Sequence, residues 1–203
     1  MSMLEYERKY YSEGKKLIAG IDEVGRGPLA GPVCAAAVIM PEGLTIDGIN
    51  DSKKLSEKKR ELLYDEIIEK AVAWSVFFIK PEVIDEINIR KATHLAMENA
   101  VKKLSVQPEI LLVDGNDNIS FDIPCEYIIK GDAKSHSIAA ASIVAKVTRD
   151  RYMVEMAEVY PEYSFEKHKG YGTKVHMEAI REHGISPIHR KTFITAKVLG
   201  KNE

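Results

Sequence analysis

Cysteine and long apolar runs are scarce in this chain. Only Cys34 and Cys125 occur, and Cys34 lies within an apolar run, where a free cysteine usually packs as a small hydrophobe. A disulfide framework is therefore excluded. No apolar segment is long enough to span a bilayer, and residues 1–16, rich in Tyr, Glu and Lys, lack the apolar region of a signal peptide. We expect a cytoplasmic protein without membrane contact.

Net charge is almost absent as well, because 29 Lys and Arg nearly balance 31 Asp and Glu. This balance neither requires nor excludes an anionic partner. The 203 residues, of which 45% are hydrophobic, suit one substantial core. Since the chain contains no repeat, low-complexity segment or linker, we expect a single domain over residues 1–203. Residues 1–16 would lead into it, and residues from about 184 to 203 would pack on it.

Apolar patterning predicts five strands and several helices. Three strands come first, and later strands alternate with helices, which indicates an α/β fold with a mixed sheet. Trp74, Phe77 and Met153 are assigned to the core. The predicted strands are 17–21, 33–40, 74–79, 110–113 and 126–129, and the predicted helices are 56–70, 88–104, 137–159, 173–183 and a closing helix at 192–199 on the sheet.

Acidic residues follow three of these strands. Asp22 and Glu23 end the first strand, Asp114 ends the fourth, and Asp132 follows the fifth. If the strand ends share one edge, four carboxylates converge there, and divalent cations would relieve their repulsion. Ligand sets of oxygen alone suit Mg²⁺ or Mn²⁺. Two such ions about 3.5 to 4 Å apart can promote hydrolysis of a phosphodiester.

A turn role is the competing interpretation of these acids. Asp beside Gly at a strand end is common turn chemistry, so Asp114 or Asp132 alone is more often a turn residue. The pair Asp22 and Glu23 fits that interpretation less well, because neighbouring residues of a strand point to opposite faces.

Basic residues cluster in 52–60 and again in 164–201. Lys58, Lys59 and Arg60 are typical of a solvated helix face, whereas Lys53 lies in a turn that suits a phosphate contact. Segment 167–173 combines lysines, glycines and Tyr171, a mixture that can hold a nucleic-acid backbone and stack on a sugar or base.

Seven ordered motifs resemble those of bacterial ribonuclease HII, in the type 2 ribonuclease H family. They are GIDEVGRG at 20–27, NDSKKLS at 50–56, VDGN at 113–116, KGDAKS at 130–135, AAASIVAK at 139–146, KHKGYGT at 167–173 and HR at 189–190. They cover the chain from about residue 17 to 193. The resemblance implies a ribonuclease H-like fold, with a five-stranded mixed sheet flanked by helices. It also implies a catalytic metal site of Asp22, Glu23, Asp114 and Asp132 that uses two Mg²⁺ or Mn²⁺ ions.

The resemblance further implies how substrate is bound. The backbone of Gly25, Arg26 and Gly27, with Tyr171, would recognise the ribonucleotide 2′-hydroxyl beside the scissile phosphate. A site built around one hydroxyl can reject an analogue lacking it by about 10⁴ to 10⁵, because its polar groups would be left unpaired. The residues implied to bind phosphates are Asn50, Ser52 and Lys53, with Lys146 and Arg190.

The implied activity is endonucleolytic cleavage on the 5′ side of a ribonucleotide, in an RNA/DNA hybrid or a DNA duplex, leaving 3′-hydroxyl and 5′-phosphate ends. Removal of misincorporated ribonucleotides by a monomer is the expected role, and a sliding-clamp contact is left open. The short lead-in argues against ribonuclease HIII. Two alternatives are a metal-free histidine mechanism that gives a cyclic phosphate and a hybrid-binding module with an inactive site. Whether His136, His168 or His189 contact substrate is also left open.

Overall fold

A five-stranded mixed sheet forms the centre of the computed structural model, which describes residues 3–50, 52–117 and 119–200. Asp51, in the second motif, lies outside these ranges. The strands are β1 (Ile18–Val24), β2 (Val33–Ile39), β3 (Ala73–Ile79), β4 (Ile110–Asp114) and β5 (Cys125–Ile128), in the order β3-β2-β1-β4-β5. Neighbours pair antiparallel from β3 to β1 and parallel from β1 to β5. The predicted mixed sheet is confirmed.

Seven helices flank this sheet in the described ranges. They are α1 (Glu5–Ser12), α2 (Glu57–Lys70), α3 (Pro81–Ile87), α4 (Ile89–Lys102), α5 (His136–Val159), α6 (Phe165–His168) and α7 (Lys174–His183). Cap residues set the limits of two of them: Ser56 caps α2, Thr173 caps α7, and Gly184, with φ +81°, ends α7. Every helix within those ranges is too short or too polar to traverse a lipid bilayer.

Alternate residues of β2 enter two different cores, one on each face of the sheet. Ala35 and Ala37 pack towards α4, whereas Cys34 and Ala36 pack towards α2 and α5. Since side chains alternate along a strand, a strand covered on both faces reads as one continuous apolar run. This explains why residues 33–40 contain no polar side chain.

The sequence missed three helices and placed one wrongly. It did not predict α1, α3 or the short α6. Asn88 separates α3 from α4 with φ +70°, and its side chain accepts hydrogen bonds from the first amides of α4. The closing helix at 192–199 is wrong, because a 3₁₀ turn and further turns occupy that segment. Arg181 donates to the carbonyls of Lys197 and Val198, and Val198 packs beside α7 instead of on the sheet.

Two of the three core assignments agree with the structure. Met153 is fully buried and Phe77 packs against the core that includes α4. Trp74 was assigned to the core wrongly, because it is 39% exposed on the edge strand β3. Its ring packs edge-on against Tyr64 of α2 and otherwise faces outward.

Glu7 of α1 joins the amino-terminal helix to the start of α5. Its carboxylate, 1% exposed, accepts hydrogen bonds from the Ser135 hydroxyl at 2.6 Å and the Ser137 amide at 2.9 Å. The first amides of a helix have no partner within the helix and carry partial positive charge. The buried carboxylate therefore satisfies both needs at the beginning of α5.

Helix α5 lies directly on β1 where Gly20 leaves room for it. A Cβ at Gly20 would sit 2.0 Å from the Ser137 carbonyl carbon and 2.4 Å from the Ile138 nitrogen. These are backbone atoms that cannot rotate away. The alanines at 139–141 are also fully buried against the sheet. The absence of a side chain at residue 20 thus sets the distance between α5 and the sheet.

Gly20→Ala is expected to lower the free energy of unfolding by about 3 kcal/mol, because the added methyl group would overlap the α5 backbone at Ser137 and Ile138. The measurement is urea denaturation at neutral pH. Gly43→Ala is the matched control: no atom lies within 4 Å of its Cβ position and its φ is +74°, so only the backbone penalty of about 1 kcal/mol applies. Equal losses in the two variants would contradict the packing argument.

Candidate active site

The parallel pairing of β1 with β4 brings three acids to one edge of the sheet. Ile21 pairs with Val113, so Asp22 and Asp114 each follow a paired residue in the same direction. Glu23 is next to Asp22 on β1. The Gly131 amide donates to Asp114 Oδ1 at 2.6 Å, which draws the segment containing Asp132 towards the same edge. Asp132 is 8% exposed in a 3₁₀ turn that precedes α5.

Burial and mutual repulsion destabilise the charged forms of these acids. Asp22 is 6% exposed; burial raises its pKa well above the ordinary value, and the charges of Glu23 and Asp114 raise it further. Burial also raises the pKa of Glu23, against the lowering effect of Arg26. A bound cation would offset this repulsion. The all-oxygen donor set therefore fits a hard divalent metal.

Protein donors hold the acids in the arrangement seen. Asp22 Oδ1 accepts from the Glu23 amide at 2.7 Å, and Glu23 Oε1 lies 3.5 Å from Arg26 Nη1. No three His, Cys, Asp or Glu residues in the described part of the chain are arranged as a ready-made metal ligand set. Glu23, Arg26 and Asp114 line a cavity of about 170 Å³ that extends to Asp117. The acids therefore open onto a polar space at the sheet edge.

The glycine loop, defined as residues 25–32, begins immediately after these acids. Gly25 has φ +91°, and Arg26 and Gly27 are exposed. Tyr171 is 41% exposed, and its ring carbon Cε1 lies 4.0 Å from the position of a Cβ at Gly27. The structure thus brings together Gly25, Arg26, Gly27 and Tyr171, as the sequence predicts, and places them beside Glu23.

Two buried arginines, Arg149 and Arg190, hold the glycine loop through hydrogen bonds to its backbone. The position of Arg190 corrects an expectation from the sequence. Arg190 was expected to contact phosphate, but it is fully buried and donates to the carbonyls of Gly25, Arg26 and Gly31. Its guanidinium is occupied by backbone and does not face the surface. Arg149 was not singled out at all; its only signal in the sequence is its spacing of four residues from both Ala145 and Met153, on the buried stripe of α5.

The remaining predicted phosphate contacts differ in how accessible they are. Asn50 and Lys53 are exposed, and the positive charge of Lys53 lowers the pKa of Glu23. Ser52 is buried with its hydroxyl 2.9 Å from that of Ser142, which in turn donates to Asp22. The side chain of Lys146 is mostly buried and pairs with Asp150 at 2.8 Å. Only Asn50 and Lys53 of this set present an exposed side chain.

Three buried histidines, His168, His176 and His189, pack together beside the segment that carries Tyr171. His176 Nδ1 donates to the Tyr171 carbonyl at 2.9 Å, so its Nε2 accepts from His189 Nε2 at 3.0 Å. His189 Nδ1 accepts from the Ser186 amide at 2.9 Å. The ring of His168 stacks on that of His176, with 4.4 Å between the ring centroids. Each ring is neutral in this chain of hydrogen bonds, because a second proton would place one donor against another. His136, on α5, is likewise buried and accepts from the Ile46 amide.

The histidine cluster is expected to lose stability in mild acid. Burial lowers the pKa of His176 and His189 from 6.5 to about 4. Between these values the unfolded chain binds more protons than the folded one, so their contribution is constant above pH 6.5 and is lost as the pH falls towards 4. The loss is on the order of 3 kcal/mol for each of the two histidines.

Urea denaturation between pH 4 and 7.5 measures this loss. His189→Gln should flatten the pH dependence, whereas His183→Gln, at an exposed histidine of the same region, should leave it unchanged. An undiminished slope in His189→Gln would show that other groups are responsible.

Comparison with known proteins identifies close relatives over nearly the whole chain. A model of the Ribonuclease HII family matches residues 19–196. Ribonuclease HII of Bacillus cytotoxicus is 59% identical over 203 residues, covering 100% of this chain and 78% of the relative. Ribonuclease HII of Endomicrobium trichonymphae is 55% identical over 193 residues, covering 95% and 92%.

Solved structures show the same fold. Ribonuclease H2 from Pyrococcus horikoshii OT3 matches with a TM-score of 0.76 and 29% identity, over 90% of this chain and 97% of that one. RNase HII in the PCNA:RNase HII complex from Archaeoglobus fulgidus matches with a TM-score of 0.73 and 29% identity, over 86% and 94%. The predicted ribonuclease H-like fold is confirmed. The chain belongs to the ribonuclease HII family and is therefore a hydrolase of the ribonuclease H type, acting on nucleic acid.

Proposed function

We propose that this chain cleaves the phosphodiester on the 5′ side of a ribonucleotide, in RNA/DNA hybrids or in DNA duplexes with an embedded ribonucleotide. The observation that carries the proposal is the contact between the acids and the glycine loop. The acids at the end of β1 adjoin the glycine loop, with Glu23 Oε1 at 3.5 Å from Arg26 Nη1. Tyr171 packs against Gly27 on the same side. The residues proposed to recognise the sugar thus lie beside the acids proposed to hydrolyse the adjacent phosphodiester.

Ribonucleases H depend on divalent metal, and the acids of this chain fit that requirement. Asp22, Glu23 and Asp114, together with Asp132, would hold two Mg²⁺ or Mn²⁺ ions. When bound, the ions would supply activation of water and stabilisation of the leaving oxygen. The carboxylate of Asp22 is kept in place by the Glu23 amide and the Ser142 hydroxyl. Hydrolysis by water would leave 3′-hydroxyl and 5′-phosphate ends.

The backbone of Gly25, Arg26 and Gly27 would bind the 2′-hydroxyl, and the Tyr171 ring would pack on the sugar. Glycines permit this approach because they carry no side chain between backbone and ligand. Lys53 and Asn50 would contact phosphates, since both are exposed and the charge of Lys53 acts on Glu23. Ser52 and Lys146 are less suited to direct contact, because the Ser52 hydroxyl pairs with Ser142 and the Lys146 amine with Asp150.

A single catalytic domain acting as a monomer, a cytoplasmic location, and a role in removing misincorporated ribonucleotides remain predictions for this chain. A sliding-clamp contact is a further proposal, suggested by the PCNA complex of the Archaeoglobus relative. The metal-free histidine mechanism is less well supported. His168, His176 and His189 are buried, with ring nitrogens committed to hydrogen bonds. The binding-only alternative would be supported by the loss of one acid. All four carboxylates are present, so the sequence does not support it.

Asp22→Asn and Asp114→Asn are each expected to reduce cleavage by about 10³-fold or more, because a lost metal ligand removes several kcal/mol of transition-state stabilisation. Single-turnover rates on a duplex with one ribonucleotide provide the measurement. Affinity for the duplex in chelator should stay within about threefold, since phosphate contacts carry it. Asp122→Asn, at an exposed acid between β4 and β5, is the control and should cleave normally. Near-normal rates in the first two variants would remove Asp22 and Asp114 from the site.

Analysis of the fragment ends tests the type of hydrolysis. With Mg²⁺, a DNA duplex carrying one ribonucleotide should be cut once, on its 5′ side, to give a 3′-hydroxyl and a 5′-phosphate. Excess chelator should abolish the cut. A cyclic phosphate product, or undiminished turnover in chelator, would show that the 2′-hydroxyl acts as the nucleophile without metal.

A further inference from the structure

Arg149 and Arg190 reach the glycine loop from two distant parts of the chain. Arg149, on α5, donates to the carbonyls of Pro32 at 2.9 Å, Lys169 at 3.1 Å and Ala30 at 3.2 Å. Arg190, after α7, donates to those of Gly25 at 2.5 Å, Arg26 at 2.9 Å and Gly31 at 3.0 Å. Each guanidinium thus uses Nε and both Nη atoms on backbone oxygens.

These hydrogen bonds fix which way the backbone of the loop faces. In a trans peptide the C=O and the following N–H point in opposite directions. Because Arg190 draws the carbonyls of Gly25 and Arg26 inward, the amides of Arg26 and Gly27 are directed outward. The outward side is the exposed surface next to the Tyr171 ring. Arg190 therefore directs two backbone amide donors, those of Arg26 and Gly27, to the place where a sugar hydroxyl would bind.

Arg149 links the loop to the segment that carries Tyr171. Its hydrogen bonds join Ala30 and Pro32 on one side to Lys169 on the other, and its guanidinium carbon lies 5.9 Å from the centre of the Tyr171 ring. Main-chain hydrogen bonds add to this link, because the Gly170 carbonyl accepts from the amides of Leu29 and Ala30. The tyrosine and the loop are thereby held as one unit.

Stability alone is a poor explanation for two such arginines. Removing a guanidinium from water is costly, and apolar residues of similar volume often stabilise a core as well or better. What arginine offers in return is a rigid planar fork that holds several carbonyls in one fixed geometry. The arrangement therefore favours a role in setting geometry.

We propose that Arg149 and Arg190 are positioning residues that set the spacing between the Gly25–Gly27 backbone and the Tyr171 ring, and thereby the discrimination between ribonucleotide and deoxyribonucleotide. This inference rests on the proposed function, in which that backbone and that ring bind the sugar. A displacement of about 1 Å at such a site can cost about 10²-fold. Loosening either arginine should lower discrimination without removing general affinity for the duplex.

The test uses Arg149→Lys and Arg190→Lys, which keep the charge and lose the fork. Dissociation constants are measured in chelator for a duplex with one ribonucleotide and for the all-DNA duplex of the same sequence. The ratio between them should fall by about 10-fold or more in each variant, while the affinity for all-DNA duplex stays within about twofold. Arg151→Lys, at an exposed arginine of α5 that pairs with Glu61, is the control and should keep both values. Thermal melts establish that each variant is folded.

Three results would distinguish a failure of the positioning role from a failure of the proposed function. A folded lysine variant with an unchanged ratio overturns the positioning role, and so does an equal loss of affinity for both duplexes. A wild-type protein with no preference for the ribonucleotide duplex counts instead against the proposed function.

Hydrogen–deuterium exchange on the unaltered protein covers the case in which a lysine variant does not fold. The outward-directed amides of Arg26 and Gly27 should exchange freely. The amides of Leu29, Ala30 and Gly31, which donate to the carbonyls of Gly170 and Ile188, should exchange as slowly as those of α5, because the arginines hold the loop against segment 167–173. Exchange as fast as that of the exposed turn at 41–45 would overturn the inference.

Discussion

The close approach of α5 to β1 is the constraint on which the rest of the molecule depends. It exists because Gly20 has no side chain between the strand and the Ser137 backbone. Along the same helix, Ser142 reaches Asp22 and Arg149 reaches the glycine loop. The turn containing Asp132 leads directly into its first residues. The distance between this helix and β1 thus positions groups at the acids, at the glycine loop and at the turn that follows the end of β5.

Two kinds of buried charge meet at this end of the sheet, and they are balanced differently. The acids at the ends of β1 and β4 raise one another's energy, so they are suited to receiving positive charge from outside the chain. The arginines beneath the loop are satisfied within the chain, by carbonyl oxygens. Burial lowers the pKa of Arg190 to about 9, so it remains a cation at neutral pH. The acids thus remain suited to binding a cation, whereas the arginines are held rigidly in place.

The sequence predicted what strand patterning and local chemistry control. The five strands, the helices α2, α4, α5 and α7, and the nearness of Asp22 to Asp114 follow from apolar patterning and from strand ends that meet at one edge. It did not predict features set by distant partners. Arg149 and Arg190 carry charges that usually indicate surface, and only the folded loop shows that six carbonyls surround them. Trp74 lies in a strand as predicted, but its exposure depends on β3 being an edge. The segment 192–199 is apolar enough for a helix, yet Arg181 takes its carbonyls.

The family match begins at residue 19, whereas the carboxylate that closes the start of α5 belongs to Glu7. The stretch matched by the family model is therefore narrower than the stretch that is held together as one folded unit. A fragment trimmed to the matched residues would keep every proposed catalytic group and still expose the amides at the entry of its central helix. For this chain, boundaries taken from the family model would remove a physical support of the catalytic edge.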